Sequence, residues 1–303
     1  MLYDIIIIGA GPAGLTSAIY ARRANKNVLV LEANNYGGQI INTQDIENYP
    51  VEEHISGFDF ATKLYNQTKK LGANIIFEKA VDINDLDEVK EVVTTKNTYK
   101  AKTVIIATGS ENRKLGISNE DELVGKGISY CATCDGNFYR NKVVAVVGGG
   151  NTALEDALYL TDVAKKVYLI HRRDEFRGEE STVNLLKEKN NIEFIYNSNV
   201  TTLNANNRLE SIEITDNKGN KKELVIDGLF IAVGRTPENQ NFAKIINLDN
   251  MGYIISNEKC HTNAKGIYAA GDNRVKDLRQ LVTATSDGAI AAVEAIKHIN
   301  KIK

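Results

Sequence analysis

The sequence contains few cysteines and prolines and has almost no net charge. Three cysteines in 303 residues do not make a disulfide scaffold, so the closely spaced pair Cys131 and Cys134 indicates a chemical site. Three prolines and no Ser- or Gly-rich linker predict domains that are joined by short segments. A net charge of -2 provides no general attraction to nucleic acid or anionic lipid, and we expect neither as a partner.

The N-terminal residues also lack the features of a targeting segment. Residues 1–9 contain Asp4 and no basic leader, and the apolar run at residues 5–8 is too short for a signal core or a membrane span. We therefore expect a cytoplasmic protein with no membrane partner. Because the cytosol keeps thiols reduced, a Cys-x-x-Cys pair there favours redox activity or metal binding over a permanent structural disulfide.

A metal site at this pair would need further ligands. The candidates are Cys260 and His261, far downstream, and no second Cys-x-x-Cys completes a set of four zinc ligands. We therefore predict no metal site. Cys260 is most simply a small buried thiol.

The length and composition are those of a globular protein with two domains. The chain is 43% apolar and 25% charged, and 303 residues allow two domains that each bury a core. The β-branched run at residues 3–8 predicts a strand buried on both faces, and it leads into Gly-Ala-Gly-Pro-Ala-Gly at residues 9–14.

This first glycine loop has the pattern of a dinucleotide site. Gly9 permits the tight turn, Gly11 lets the backbone approach a pyrophosphate, and Gly14 lets the following helix pack closely on the strand. The helix, from Pro12 to about residue 25, would direct its N-terminal amides at the phosphates. A second strand at residues 27–31 ends in Glu32, where an acid can bind a ribose hydroxyl. The alternative is a glycine-rich turn without a ligand.

The same pattern begins again at residue 142. A buried strand at 142–147 leads into a second glycine loop at 148–153, and the next strand, 166–170, is followed by His171, Arg172, Arg173 and Arg177. Arginines at this position can bind a 2′-phosphate, which an acid would repel, so the second nucleotide is predicted to be NADPH rather than NADH. The alternative is a solvated basic turn.

The remaining segments predict further strands and helices. Small residues at Thr108 and Gly109 follow the strand at 103–107 and would let the chain pass close to a ligand, unless this is a plain turn. The other predicted elements are a helix at 57–72, an antiparallel meander at 74–77, 90–95 and 97–100, a second meander at 192–195, 208–215 and 221–226, strands at 228–233 and 266–270, and a helix from Arg279 to about residue 299.

Taken together, these motifs are specific. The sequence resembles the low-molecular-weight bacterial thioredoxin reductases over nearly its full length. The resemblance lies in residues 9–14, 37–39, 107–109, 131–136 and 148–153, and in His171, Arg172, Arg173, Arg177, Gly271, Asp272, Arg279 and Gln280. The sequence differs from the family pattern at two positions. Val51 stands where the family often has Gly, and Leu281 stands where a smaller residue is common, so we expect the local loop shape to differ there.

The resemblance implies an α/β fold class with two Rossmann-like three-layer nucleotide-binding domains, the NADPH domain being inserted into the FAD domain. The expected bounds are 1–113 with 239–303 for FAD, and 114–238 for NADPH and the redox dithiol. It also implies a homodimer and a rotation of one domain against the other during the catalytic cycle.

The resemblance further implies which residues bind each cofactor. For FAD they are Gly9, Gly11, Pro12, Ala13, Gly14, Glu32, Gly38, Gln39, Asn48, Ala107, Thr108, Gly109, Gly271, Asp272, Arg279 and Gln280. For NADPH they are Gly148, Gly150, Asn151, Thr152, Ala153, His171, Arg172, Arg173, Arg177, Gly234 and Arg235.

The implied activity is reduction of thioredoxin at the expense of NADPH. Hydride passes to FAD, then electrons pass to the disulfide of Cys131 and Cys134, and dithiol exchange transfers them to thioredoxin. By the resemblance, Cys134 meets the flavin, Cys131 attacks thioredoxin, and Asp135 is the acid/base. The alternative for Asp135 is a helix N-cap, and the two roles are compatible. The alternatives are a related reductase serving a peroxiredoxin, a glutaredoxin-like protein or a ferredoxin-linked partner, and a non-enzymatic redox sensor.

Overall fold

The computed structural model describes residues 1–43 and 45–301 and separates into two compact units. One unit comprises Met1–Glu111 and Thr236–Lys303, and the other comprises Asn112–Arg235. The second unit is therefore inserted into the first.

The strands and helices are numbered in chain order. The strands are β1 (Leu2–Ile8), β2 (Val28–Glu32), β3 (Asn74–Phe77), β4 (Ala80–Leu86), β5 (Val89–Thr94), β6 (Thr98–Ile106), β7 (Ser110–Asn112), β8 (Ile128–Ser129), β9 (Val143–Gly148), β10 (Lys166–Ile170), β11 (Ile192–Ile195), β12 (Ser198–Ala205), β13 (Leu209–Asp216), β14 (Lys221–Val225), β15 (Gly228–Ala232), β16 (Arg235–Pro237) and β17 (Ile267–Ala269). The helices are α1 (Pro12–Arg23), α2 (Gly57–Lys70), α3 (Ala132–Asp135), α4 (Asn151–Thr161), α5 (Glu180–Lys187) and α6 (Leu281–Lys301).

The first unit is built on a mixed sheet in the order β3-β2-β1-β6-β5-β4. Strand β1 is parallel to both neighbours, so that Ile6 lies opposite Leu29 of β2 and Val104 of β6. The long strand β6 pairs with antiparallel β5 near its start and with parallel β17 near its end. The carboxyl ends of β1, β2, β6 and β17 therefore meet at one edge of this sheet.

The two faces of β1 contribute to different cores, which explains its continuous apolar sequence. Ile5 and Ile7 pack with α1 and α6, whereas Ile6 and Ile8 pack with residues of β4 and β5 and with Phe242. The unit therefore has three layers: helices, the sheet, and a covering layer formed by the antiparallel strands and the segment around residue 242.

The second unit repeats this plan with a parallel sheet in the order β11-β10-β9-β15-β8. Val144 and Val146 of β9 face α4 and α5, and Ala145 and Val147 face the antiparallel sheet β12-β13-β14. Two Rossmann-like three-layer domains, one inserted in the other, therefore confirm the predicted fold class.

Each predicted meander was confirmed for its last two strands, which pair antiparallel as β5 with β6 and β13 with β14, and was wrong for its first strand. Strand β3 (74–77) pairs in parallel with β2, and β11 (192–195) pairs in parallel with β10. The antiparallel partners in these positions are β4 and β12, which were not predicted from the sequence. Strand β6 was also predicted as two segments, 97–100 and 103–107. Strands β3 and β11 are four residues long and have no fully buried side chain, so their sequences do not distinguish an edge strand from a meander strand.

The helix predictions were confirmed with small shifts at the ends. The first helix ends at Arg23 rather than near residue 25, and the predicted helices at 57–72 and 279–299 are Gly57–Lys70 and Leu281–Lys301. Across residues 1–43 and 45–301, none of the helices combines the length and apolar character that a membrane span requires.

Candidate functional site

The first glycine loop connects β1 to α1 at the edge where the parallel strands end. A β-carbon added at Gly9 would lie 2.2 Å from the carbonyl oxygen of Ala107, and one at Gly14 would lie 1.9 Å from the carbonyl oxygen of Gly9. Neither position has room for a side chain, so packing within the first unit requires both glycines.

Gly11 is different, because packing does not require it. Its φ of -78° is open to any residue, and an added β-carbon would meet no described atom closer than 3.9 Å, the Cα of Gly38. Gly11 is the N-cap of α1 and has no side chain to cap the first-turn amides. An open backbone face at a helix N-terminus fits a phosphate group, and Gly38 lies beside it.

Glu32 lies at the end of β2, beside the first glycine loop. Its Oε2 accepts a hydrogen bond from Ala10 N at 2.7 Å, and its Oε1 accepts one from Asn34 N at 2.9 Å. The carboxylate is therefore fixed in orientation next to the loop, in the position predicted for a ribose contact.

Two long-range contacts bring other predicted flavin residues to the same part of the first unit. Asn48 Nδ2 donates to Gln280 Oε1 at 3.2 Å, although 232 positions separate the two residues. Gly38 and Gln39 begin a 3₁₀ turn, Gly38–Asn42. Ala107, Thr108 and Gly109 follow β6, and Ala107 N donates to Ile8 O at 2.7 Å.

Gly271 and Arg279 are held against these elements. A β-carbon at Gly271 would lie 2.9 Å from Cβ of Ala13, so the segment after β17 contacts the first turn of α1. The Arg279 guanidinium lies 4.1 Å from the ring centroid of Tyr253, and its Nε donates to the carbonyl oxygen of Asp272 at 3.4 Å.

Two buried amides that were not predicted from the sequence join these segments. Asn239 and Asn273 are fully buried. Asn239 Oδ1 accepts from Thr108 Oγ1 at 3.0 Å, and Asn273 Nδ2 donates to Ile106 O at 3.0 Å. The available signal was weak, because each is an isolated asparagine in an irregular segment.

The second glycine loop repeats the geometry of the first. A β-carbon at Gly148 would lie 2.4 Å from the carbonyl oxygen of Ala232, the counterpart of Ala107, and one at Gly150 would meet no described atom within 4 Å. Gly150 is the N-cap of α4, with a φ of -97°. Asn151 and Thr152 open the helix and are exposed. This loop therefore also leaves an open backbone face at a helix N-terminus.

The arginine segment folds back onto this loop. Arg177 N and Gly178 N both donate to Gly149 O, at 2.7 and 3.2 Å. The side chains of Arg172, Arg173 and Arg177 are exposed, as are those of Asp174 and Glu175 between them. The segment therefore presents three cations beside the second glycine loop.

His171 does not share the exposure of these arginines. Its side chain is buried, and a β-carbon at Gly149 would lie 2.1 Å from His171 Cε1. The imidazole stacks on Phe176 at a centroid distance of 5.2 Å. Burial, together with nearby Arg177 and Arg172, lowers the pKa of His171. The structure therefore places it beneath the glycine loop as a neutral packing group.

Gly234 and Arg235 follow β15 in the second unit. Arg235 Nε donates to Asn112 Oδ1 at 3.0 Å. This hydrogen bond joins the two ends of the inserted unit, where the chain enters and leaves it.

Cys131 and Cys134 are joined by a disulfide in the second unit. Cys131 is the N-cap of α3, and both cysteines are half-buried. Ser129 Oγ donates to Asp135 Oδ2 at 2.6 Å and accepts from Cys131 N at 3.0 Å. Ser129 therefore connects the acid directly to the backbone of the redox pair.

Asp135 is a half-buried acid next to the dithiol. Burial raises the pKa of its carboxyl group, although the hydrogen bond from Ser129 acts in the opposite direction. In the N-cap position of the 3₁₀ turn Gly136–Tyr139, its carboxylate caps none of the amides in the described part of the chain. The N-cap alternative is therefore wrong for this residue.

Asp156 is a second acid near the dithiol, and it was not predicted from the sequence. It lies on α4, and its carboxylate accepts a hydrogen bond from the backbone of Ala132, between the two cysteines. Burial, with a smaller contribution from Glu155, raises the pKa of Asp156 from 3.8 to about 7, while Ala132 and Arg235 act in the opposite direction. Two adjacent acids, Glu155 and Asp156, on a helix with one buried face give no sequence signal that one of them is partly buried.

The third cysteine, Cys260, is buried in the core of the first unit. Burial raises the pKa of its thiol to about 12, so it carries almost no thiolate at neutral pH. The prediction of a small buried thiol is confirmed.

Comparisons with known proteins agree with this arrangement. The family model for pyridine nucleotide-disulphide oxidoreductases matches residues 3–288. The thioredoxin reductases of Listeria monocytogenes and Bacillus subtilis are each 42% identical, over 100% and 98% of this chain and 95% and 94% of their own lengths. The crystal structure of thioredoxin reductase from Streptococcus pyogenes is 40% identical, covers 99% of each chain, and superposes with a TM-score of 0.95.

These matches, together with the paired glycine loops and the Cys131–Cys134 disulfide, indicate a flavoprotein disulfide oxidoreductase that uses a flavin and a nicotinamide nucleotide. The chain belongs to the pyridine nucleotide-disulphide oxidoreductase family, and within that family it is similar over its full length to thioredoxin reductases.

Proposed function

We propose that this protein is a thioredoxin reductase that uses NADPH and FAD to reduce the Cys131–Cys134 disulfide, and then reduces thioredoxin by dithiol exchange. The observation that carries the proposal is the half-buried disulfide in the same unit as an arginine-lined glycine loop. We also propose that it acts in the cytoplasm and that it is a homodimer. Light scattering of the purified protein tests the dimer.

The first unit has features that fit FAD. The open backbone face at Gly11 would receive the pyrophosphate, and the fixed carboxylate of Glu32 would accept a hydrogen bond from a ribose hydroxyl. Asn48 and Gln280 lie on the same side of the unit. When bound, FAD supplies the electronic pathway between the nicotinamide and the disulfide.

The second unit has features that fit NADPH. The N-terminus of α4 would hold the pyrophosphate over Gly150, and the 2′-phosphate would meet the guanidinium groups of Arg172, Arg173 and Arg177. Charge-assisted hydrogen bonds of this kind contribute roughly 1.5–3 kcal/mol each. NADH lacks the 2′-phosphate and would lose them.

The two thiols of the reduced pair have different tasks. The Cys131 thiolate attacks one sulfur of the thioredoxin disulfide, which forms a mixed disulfide and releases the other sulfur as a thiolate. The Cys134 thiolate then attacks the Cys131 sulfur, which restores the Cys131–Cys134 disulfide and releases the second thioredoxin thiolate.

Asp135 supplies a proton during this exchange. Its raised pKa keeps a larger fraction protonated than for an exposed aspartate, and Ser129 orients the carboxyl group. The acid can therefore protonate a departing thiolate beside the dithiol. When the pair is reoxidised, the same carboxylate can accept a thiol proton.

Cysteine variants test this function. Cys131→Ser and Cys134→Ser should each abolish NADPH-dependent reduction of thioredoxin while the purified protein keeps its flavin, because only the dithiol is lost. Cys260→Ala is the matched control and should retain activity, since that thiol is buried in the other unit. Full turnover by either Cys131→Ser or Cys134→Ser would refute the proposal.

The choice of electron donor and acceptor separates the close alternatives. Assays that compare NADPH, NADH and reduced ferredoxin as donors should give rapid turnover with NADPH alone, because the exposed arginines have no role with the other two. Assays with thioredoxin, a glutaredoxin-like protein and a peroxiredoxin then identify the acceptor. Flavin-loaded protein that reduces no disulfide would favour a redox sensor.

A further inference from the structure

One buried carboxylate in the first unit has no role in the proposed function. Asp287, on α6, is almost completely buried. Its Oδ2 accepts hydrogen bonds from Gly271 N at 3.0 Å, Arg274 Nε at 2.8 Å and Lys276 Nζ at 2.9 Å, and its Oδ1 accepts from Arg274 Nη2 at 3.1 Å. This carboxylate therefore binds the segment 271–276 to α6 at three residues.

Gly288, the residue after Asp287, packs α6 closely against α1. A β-carbon at Gly288 would lie 2.2 Å from Ala13 O, so the helices are in close contact there. Ser17 Oγ lies 2.9 Å from both Ala13 O and Gly288 O. Residues 287 and 288 therefore connect the segment 271–276 to the first turn of α1, which carries the open glycine face.

The anchored segment also holds another predicted flavin residue. Arg279 Nη2 donates to Arg274 O at 3.2 Å, and Arg279 Nε donates to Asp272 O at 3.4 Å. Both carbonyl groups belong to the segment that Asp287 binds, so the position of the Arg279 guanidinium depends on it.

We propose that Asp287 is a positioning residue for the flavin: it holds segment 271–276 against α1 and thereby sets how tightly the flavin nucleotide is retained. This inference depends on the proposed placement of the flavin in the first unit. Asp287 itself would not touch the flavin, because its carboxylate is occupied by protein donors.

The charges around Asp287 explain why its replacement by Asn should weaken the retention of flavin. The side chains of Arg274 and Lys276 are both at least nine-tenths buried. Burial raises the pKa of Asp287, but the hydrogen bonds from Arg274 and Lys276 outweigh it and keep the pKa below its usual value. Without the anion, two buried cations lose their partner, and the segment moves to hydrate them.

The test compares flavin retention in the flavin-loaded wild type with that in Asp287→Asn. The dissociation constant for FAD, measured from flavin fluorescence after dilution, should rise at least about 10-fold. The visible circular dichroism of the bound flavin should change, and excess FAD should restore it. Glu294→Gln, which neutralises an ion-paired acid two turns later on the same helix, is the matched control and should stay within about 2-fold.

A second variant, Lys276→Met, tests the same inference if Asp287→Asn does not fold. Lys276→Met keeps the Arg274–Asp287 pair and removes one anchor, so it should fold and raise the dissociation constant for FAD about 3-fold or more. Wild-type retention in either variant would overturn the inference. A wild-type protein that binds no flavin at all would instead refute the proposed function, so the two failures are distinguishable.

Discussion

The two glycine loops have the same backbone arrangement and differ at the end of the next strand, β2 in the first unit and β10 in the second. In both, the first glycine lies against a carbonyl oxygen at the end of a neighbouring strand, that of Ala107 just after β6 or that of Ala232, the last residue of β15. In both, a β-carbon added at the N-cap glycine would meet no described atom closer than 3.9 Å. Strand β2 ends in a fixed carboxylate, whereas β10 is followed by a buried imidazole and three exposed arginines.

This comparison separates two kinds of residue within one motif. Gly9, Gly14 and Gly148 are required by the packing of the chain on itself, whereas Gly11 and Gly150 are not. The last two are the glycines that we propose face the phosphates of the bound nucleotides. The shared backbone predicts a nucleotide in each unit, and the strand-end residues predict which nucleotide it is.

The largest effect is expected from removing the arginines that distinguish the second unit. Simultaneous replacement of Arg172, Arg173 and Arg177 by Ala should raise KM for NADPH roughly 100-fold or more, because it removes several charge-assisted hydrogen bonds. The KM for NADH should change little. Steady-state kinetics with both donors measures the difference.

The matched control for this variant replaces Arg140, Arg208 and Lys126 of the same unit by Ala, which removes three cations outside the strand end. It should leave the preference for NADPH unchanged. An arginine variant that still prefers NADPH to the wild-type extent would show that these three arginines do not determine the nucleotide choice of the second unit.

An intermediate effect is expected from alanine substitutions in the glycine loops. They should separate Gly11 and Gly150, which packing does not require, from Gly14, which packing does require. Gly11→Ala should fold normally but retain flavin about 10-fold less well, and Gly150→Ala should fold normally and raise KM for NADPH by a similar factor. Gly14→Ala should lower the free energy of unfolding by at least about 2 kcal/mol, because its β-carbon would lie 1.9 Å from Gly9 O.

Thermal unfolding and flavin fluorescence of the same preparations measure these two outcomes. Gly219→Ala, at an open surface turn with a φ of +85°, should lower stability through backbone strain without changing nucleotide binding, and it separates these two effects in the second unit. If Gly11→Ala were as unstable as Gly14→Ala, then packing would explain all the glycines and the assignment of open faces to phosphates would lose its support.

The smallest effect concerns Asp156 on α4. The corresponding helix of the first unit, α1, has no such acid. The folded-state pKa of Asp156 is about 7 against 3.8 in an ordinary aspartate, so between these values the folded state binds more protons than the unfolded state. The free energy of unfolding should therefore fall as pH rises through this window, by up to about 1.4 kcal/mol per pH unit.

Asp156→Asn removes this dependence. The variant should be more stable than the wild type by about 1–2 kcal/mol at pH 8, and the advantage should shrink toward pH 5, because Asn never has to ionise. Urea unfolding at several pH values measures it. Asp162→Asn, at the exposed C-terminal end of the same helix, is the control. A variant advantage that does not depend on pH would contradict the burial of this acid.

Much of the fold followed from local sequence. The β-branched runs at 3–8 and 142–147, each followed by a glycine loop and a helix, located the parallel strands at the centre of both sheets, and the Cys-x-x-Cys pair located the redox site. These features are recognisable because each is a continuous segment whose pattern depends on its own neighbours.

The remainder depends on tertiary contacts that no local pattern reveals. Strands β3 and β11 were assigned to the wrong partners because their pairing depends on which sheet edge is open. Asn239, Asn273 and Asp156 acquire their roles through burial against distant segments. His171 stood next to the arginines in sequence, but the strand geometry directs it beneath the loop instead.

An anaerobic titration of the purified flavin-loaded protein with NADPH tests the proposed division of labour between the two units. If the units hold different nucleotides and only the second carries a dithiol, the wild type should consume about two equivalents of NADPH per chain, one for the flavin and one for the disulfide. Cys134→Ser should consume about one. A wild type that also stops at one equivalent, or that takes none, would contradict this division.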